Sequence, residues 1–67
     1  MDIHNLTRKE NEVLNLIVKG LGDKEIAKSL FVCVPTVRTH ITSIFTKMDV
    51  NNRKELIIKI LSNYHQY

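Results

Sequence analysis

IAKSLFVCVPTVRTHITSIFTKM, residues 26–48, carries two helical periods of apolar residues separated by a short turn. Ile26, Ala27, Leu30 and Phe31 supply the apolar face of the first period. In the second, Val37, Ile41, Ile44, Phe45 and Met48 fall at i, i+4, i+7, i+8 and i+11, one face of a helix. Residues 31–34 form the turn, and Pro35 suits the first helical position after it. The stretch holds Lys28, Arg38, His40 and Lys47, while all seven acidic residues of the chain lie outside it. A carboxylate-free helix–turn–helix with a hydroxyl-rich second helix predicts a phosphate-lined groove as its partner, which points to double-stranded DNA.

On a wheel of about 100° per residue, the second helix sorts its side chains cleanly. Opposite the apolar stripe lie Thr39, Thr42 and Thr46, flanked by Arg38 and Ser43. Short hydroxyl side chains let a helix axis approach base edges closely, and the threonine methyl can touch thymine. Arg38 can reach guanine bidentately or grip a phosphate. His40 and Lys47 share one flank and suit a backbone strand, so base-reading and phosphate-positioning surfaces separate. A Thr/Ser face alone is more often just a solvated face. Its context favours the functional reading: Ala27 is the small residue needed where two such helices cross, with apolar anchors at Val37 and Ile41.

Outward from this motif the chain reads as all-α. Thr7 and Glu10 form a capping box with Leu6 before it, opening a helix whose stripe is Val13, Leu14, Leu16, Ile17 and Leu21. Gly20 ends that helix in a left-handed turn. A second helix runs from about Asp23 to Leu30, with Asp23 and Glu25 at its positive end. Residues 49–52 break the third helix, and a fourth spans roughly Asn52 to Asn63. Leu56, Ile57, Ile58, Ile60 and Leu61 cover more than half of the fourth helix, more than one small core can take. Ile58 and Leu61 are therefore expected at a homodimer contact.

Sixty-seven residues allow one domain, residues 1–67, near the lower limit for folding without staples. One cysteine excludes an intramolecular disulfide and suits a reducing compartment. No apolar run is long enough to span a membrane, and Asp2, His4 and Asn5 leave no room for a signal peptide, so a cytoplasmic location follows. Net charge is +3, modest for a polyanion binder, so its distribution weighs more than its total. His4, His40, His65 and Cys33 lack zinc spacing, and no nucleophile–base set or glycine-rich phosphate loop exists. No enzyme, cofactor or metal site is expected.

LTRKENEVLNLIVKG, DKEIAKSL, PTVRTHITSIFTKMDV and NNRKEL together resemble the LuxR-type (GerE/NarL-like) DNA-binding domain, from Leu6 to Leu61 without a gap. The resemblance implies a four-helix domain whose third helix enters the major groove and whose fourth pairs two copies on a pseudo-palindromic site. Carried over by position, it implies base-facing roles for Arg38, Thr39 and Thr42. It implies phosphate or groove-edge roles for Lys24, Thr36, His40 and Lys47, with Arg53 serving either the fold or a phosphate. Three positions depart from the family pattern. Gly22 and Cys33 stand where serine usually caps helices two and three, and Thr42 where a basic or amide side chain is usual. The motif begins six residues into the chain, with no receiver or ligand-binding segment before it, as in a stand-alone regulator of the GerE type or a piece of a larger one. A second reading keeps the fold but gives it to protein contact, with RNA polymerase or another regulator as partner and little DNA reading. A thiol cap at Cys33 and the short Thr42 motivate it.

Overall fold

The computed structural model describes residues 5–64, with side chains up to Ser62. Its four helices are α1 (Arg8–Val18), α2 (Asp23–Leu30), α3 (Val34–Met48) and α4 (Arg53–Tyr64), with no strand among the described residues. His4 and His65 lie outside those residues.

One apolar cluster joins all four helices. Val13, Leu14 and Ile17 of α1, Ile26 of α2, Val37 and Ile44 of α3, and Leu56 and Ile60 of α4 are essentially inaccessible to water. Each such side chain contributes about 1.5–3 kcal/mol by leaving water, so a short chain needs nearly all of them. Ala27 of α2 is buried in the same apolar cluster as Val37 and Ile41 of α3. Phe31 corrects the apolar face expected for α2. It adopts a left-handed conformation with φ 59° and stands 94% exposed. That backbone turn ends α2, with Val32 N–H donating to Ala27 O at 3.0 Å, and it swings the Phe31 side chain away from the core.

The helix ends are closed by identifiable groups. Thr7 Oγ1 accepts the Glu10 N–H at 3.2 Å while Glu10 Oε1 accepts the Thr7 N–H at 2.9 Å, the expected capping box. Gly20, at φ +95°, lets Gly20 N–H reach Ile17 O and Leu21 N–H reach Leu16 O, the paired bonds of a Schellman ending. Gly22 has no side chain to cap α2, yet Glu25 Oε1 accepts its N–H at 2.8 Å, so the reciprocal half of a capping box survives. Asn52 Oδ1 accepts the Glu55 N–H at 2.9 Å and starts α4. Lys59 Nζ donates to Met48 O at 2.7 Å, satisfying a terminal carbonyl of α3 from the side of α4.

α3 is the exception. Its N-cap is Cys33, exposed and making no side-chain cap bond. Val34 takes the first helical position and Pro35 the second, one residue later than the sequence suggests. Restoring a hydroxyl acceptor should help: Cys33→Ser is expected to raise unfolding stability by about 1 kcal/mol. Urea melting of the two proteins measures the difference, and an unchanged midpoint would mean that water already satisfies the first turn.

Candidate nucleic-acid interface

α3 turns Thr36, Arg38, Thr39, Thr42 and Thr46 to solvent and buries Val37, Ile41, Ile44 and Met48 behind them. The hydroxyls along this strip are not equivalent. Thr39 Oγ1 donates to Pro35 O at 3.0 Å and Thr46 Oγ1 to Thr42 O at 3.1 Å, so both protons are used within the helix. These two residues present a methyl group and an accepting oxygen. The side-chain hydroxyls of Thr36 and Thr42 have no hydrogen-bond partner among the described residues and keep both donor and acceptor capacity.

Each flank of the strip is held by an acid from outside residues 26–48. On one side Glu10, only 5% exposed, reaches across from α1. Its Oε2 accepts the Ser43 hydroxyl at 2.6 Å and its Oε1 accepts Lys47 Nζ at 2.8 Å. Lys47, Ser43 and the Thr7 N–H together favour the carboxylate over its acid form against the opposing cost of burial, holding Glu10 at about 2 rather than 4.5. Ser43 thus faces α1 rather than the outer strip, and the ammonium of Lys47 is already paired. His40 lies half-buried on the same helix.

On the other flank Asp23, the first residue of α2, meets two guanidiniums. Arg38 Nε donates to its Oδ2 at 3.3 Å, and Arg53 Nη2 bonds its Oδ1. Arg53 Nη1 also donates to Leu21 O at 2.9 Å. Arg53, left between fold and phosphate by the sequence, therefore ties α4 to the start of α2. A shallow groove of about 360 Å³ runs beside α3 here, floored by Ile41 and Phe45 and edged by Arg38, Thr42, Asn51 and Asn52. Lys24 and Lys28 stand exposed along α2.

On α4, Leu56 and Ile60 are buried and Ile57 packs partly against the core, leaving Ile58 54% and Leu61 48% exposed. They are three residues apart on one side of the helix. Glu10 and Asp23 are the residues the sequence undervalued. In the sequence both read as helix starts, and nothing in their local spacing links them to α3, more than thirty positions away for Glu10.

The model of the luxR family of bacterial regulatory proteins (GerE) matches residues 4–60 of this chain. The chain belongs to that family. Among its relatives, the oxygen regulatory protein NreC of Staphylococcus haemolyticus is 50% identical over 52 residues, which cover 78% of this chain and 24% of that protein. The transcriptional regulatory protein LiaR of Bacillus subtilis is 42% identical over 60 residues, 90% of this chain and 28% of its own. The chain thus spans about a quarter of the length of these luxR-family relatives. As a luxR-family domain it is a DNA-binding domain of transcription regulators, not a member of an enzyme family. No described helix is long and apolar enough to cross a membrane.

The depressed Glu10 carboxyl makes a pH prediction. Its stabilisation is complete above the ordinary carboxylate value of 4.5 and is lost as pH falls through about 2. Because the Lys47 partner is itself 36% exposed, water screens the pair, and about 1–2 kcal/mol is expected to disappear across that window. Denaturant melts at stepped pH should show the loss in wild type and its absence in Glu10→Gln; parallel curves for the two proteins would assign acid sensitivity to other groups.

Proposed function

We propose that the chain is a sequence-specific reader of double-stranded DNA that lays α3 in the major groove and binds pseudo-palindromic sites as a homodimer. The observation that carries this reading is the exposed strip of short side chains along α3, bordered by Arg38 and backed by the buried Val37, Ile41, Ile44 and Met48. Arg38, Thr39 and Thr42 take the base edges. Arg38 supplies paired donors for guanine O6 and N7, Thr39 a methyl for thymine, and Thr42 a hydroxyl able to donate or accept. Lys24, Thr36 and His40 take phosphates or the groove edge. Lys47 contributes there more weakly, because Glu10 already neutralises its ammonium.

Ile58 and Leu61 pair two copies through α4. Two recognition helices would then sit about 34 Å apart, one turn of duplex. Such a domain works on the nucleoid in the bacterial cytoplasm. The oxygen regulation named for NreC belongs to that protein.

Duplex selection followed by titration against salt tests the DNA reading. Affinity should fall steeply with salt, with Lys24→Ala reducing the slope by about one charge. Arg38→Ala should cost about 1–3 kcal/mol at a guanine and relax preference there. If selection returns no preferred site and Arg38→Ala changes nothing, the same fold serves protein contact instead.

Self-association has its own test. Ile58→Asp is expected to weaken dimerisation and palindrome binding while leaving helicity intact. Sedimentation equilibrium, alone and with a palindromic duplex, reads both; a wild type that stays monomeric even on DNA would refute the α4 pairing.

A further inference from the structure

We infer that Asp23 is a positioning residue for base reading: it fixes the guanidinium of Arg38 by its Nε and leaves the terminal nitrogens to face a guanine. This rests on the assignment of Arg38 to base reading made above. The Arg38 side chain is 71% exposed and long, so unaided it would sample many rotamers and lose that freedom on binding. Its Nε–H donates to Asp23 Oδ2 at 3.3 Å, while Nη1 and Nη2 have no partner among the described residues. Those two nitrogens form the end-on fork that matches guanine O6 and N7. The tether therefore occupies the one guanidinium edge that end-on recognition does not need.

The anchor is itself held. Asp23 Oδ1 bonds Arg53, whose other terminal nitrogen is fixed on Leu21 O at 2.9 Å. The carboxylate thus stands on a base built from α2, α4 and the loop between α1 and α2. The division of labour also explains why a carboxylate serves here and an amide would not. Aspartate offers two accepting oxygens, one for each arginine, whereas asparagine offers one acceptor and a donor that would point at a guanidinium. The fold needs only the Arg53 side of this arrangement. The Arg38 side is an exposed pair of the kind that adds little stability, so orientation is what it leaves to explain. An unpaired carboxylate at a groove edge would repel phosphates; shared between two guanidiniums, it leaves the triad with a net positive charge.

The test uses the 67-residue chain with a duplex obtained by selection and a counterpart in which the guanine preferred through Arg38 is replaced by adenine. In the wild type the ratio of the two affinities is the readout, and Arg38→Ala should abolish it. Asp23→Asn should lower that ratio roughly tenfold while the slope of affinity against salt stays unchanged, because no phosphate contact is lost. A purely structural role would instead shift both affinities together and leave the ratio intact. An intact ratio in Asp23→Asn, with the ratio lost in Arg38→Ala, overturns the positioning role but spares the DNA reading. An intact ratio in Arg38→Ala overturns the reading on which it rests. A second measurement avoids dependence on a variant that fails to fold. In nitrogen-15 spectra of the free wild type, the Arg38 Nε–H should exchange with water more slowly than that of the exposed Arg8; equal exchange rates would overturn the proposal.

Discussion

The side chain of Glu10 is the constraint on which the position of the outward strip depends. It leaves the α1 backbone in the first turn, closes the capping box with Thr7, and then takes a hydroxyl and an ammonium from two successive turns of α3. Local and tertiary structure are therefore specified by one carboxylate. Helix–helix packing through Val13, Ile17, Val37 and Ile44 brings α1 against α3, but apolar contacts of this kind tolerate sliding and rotation. Directional bonds to Ser43 and Lys47 fix the rotation of α3 about its axis, and with it the direction in which Thr39 and Thr42 face. A buried carboxylate that lost one of these donors would be costly, because the remaining charge would keep its desolvation penalty with less to offset it.

Residues 26–48 contain no acid, yet in three dimensions two acids lie against their second helix. The pairing has opposite consequences on the two flanks. Lys47 meets a nearly buried carboxylate and is largely committed to the fold. Arg38 meets a partly exposed one through its Nε alone and keeps its terminal nitrogens available. Counting charges along the chain treats the two cations as equivalent; their partners make one a structural bolt and the other a presented donor. Lys24 and Lys28 of α2 are exposed and make no ion pair among the described residues, so their positive charge is not committed in this way.

The helices were legible because each rests on short-range signals: the Thr7–Glu10 box, Gly20, and the stripe from Val37 to Met48. The apolar excess of α4 was legible too, and its division into buried Leu56 and Ile60 against exposed Ile58 and Leu61 follows from a core that can accept only one side of a terminal helix. Phe31 departs from its expected apolar face because periodicity extends a helix one residue past the point where the backbone turns left-handed. Ser43 departs from the outer strip because a wheel ranks hydroxyls by angle alone, while the flank position it occupies falls within reach of Glu10. Arg53 remained open for the same reason: both of its partners, Leu21 and Asp23, lie some thirty residues earlier. Contacts of that sequence separation leave no periodic trace.

Thr39 and Thr46 bond back to the helix and Thr42 does not, although all three are the same residue on the same strip. An internally bonded threonine has a settled rotamer and shows a fixed methyl, which suits apolar contact and shape. The unbonded one can rotate to donate or to accept, so it can satisfy different base edges without moving the backbone. With Arg38 bonded through its Nε, the strip therefore combines a donor fork, fixed methyls and one adaptable hydroxyl. On the proposed DNA reading, discrimination would concentrate where Arg38 meets a guanine and relax at Thr42, since a rotatable hydroxyl that accepts several partners rejects few.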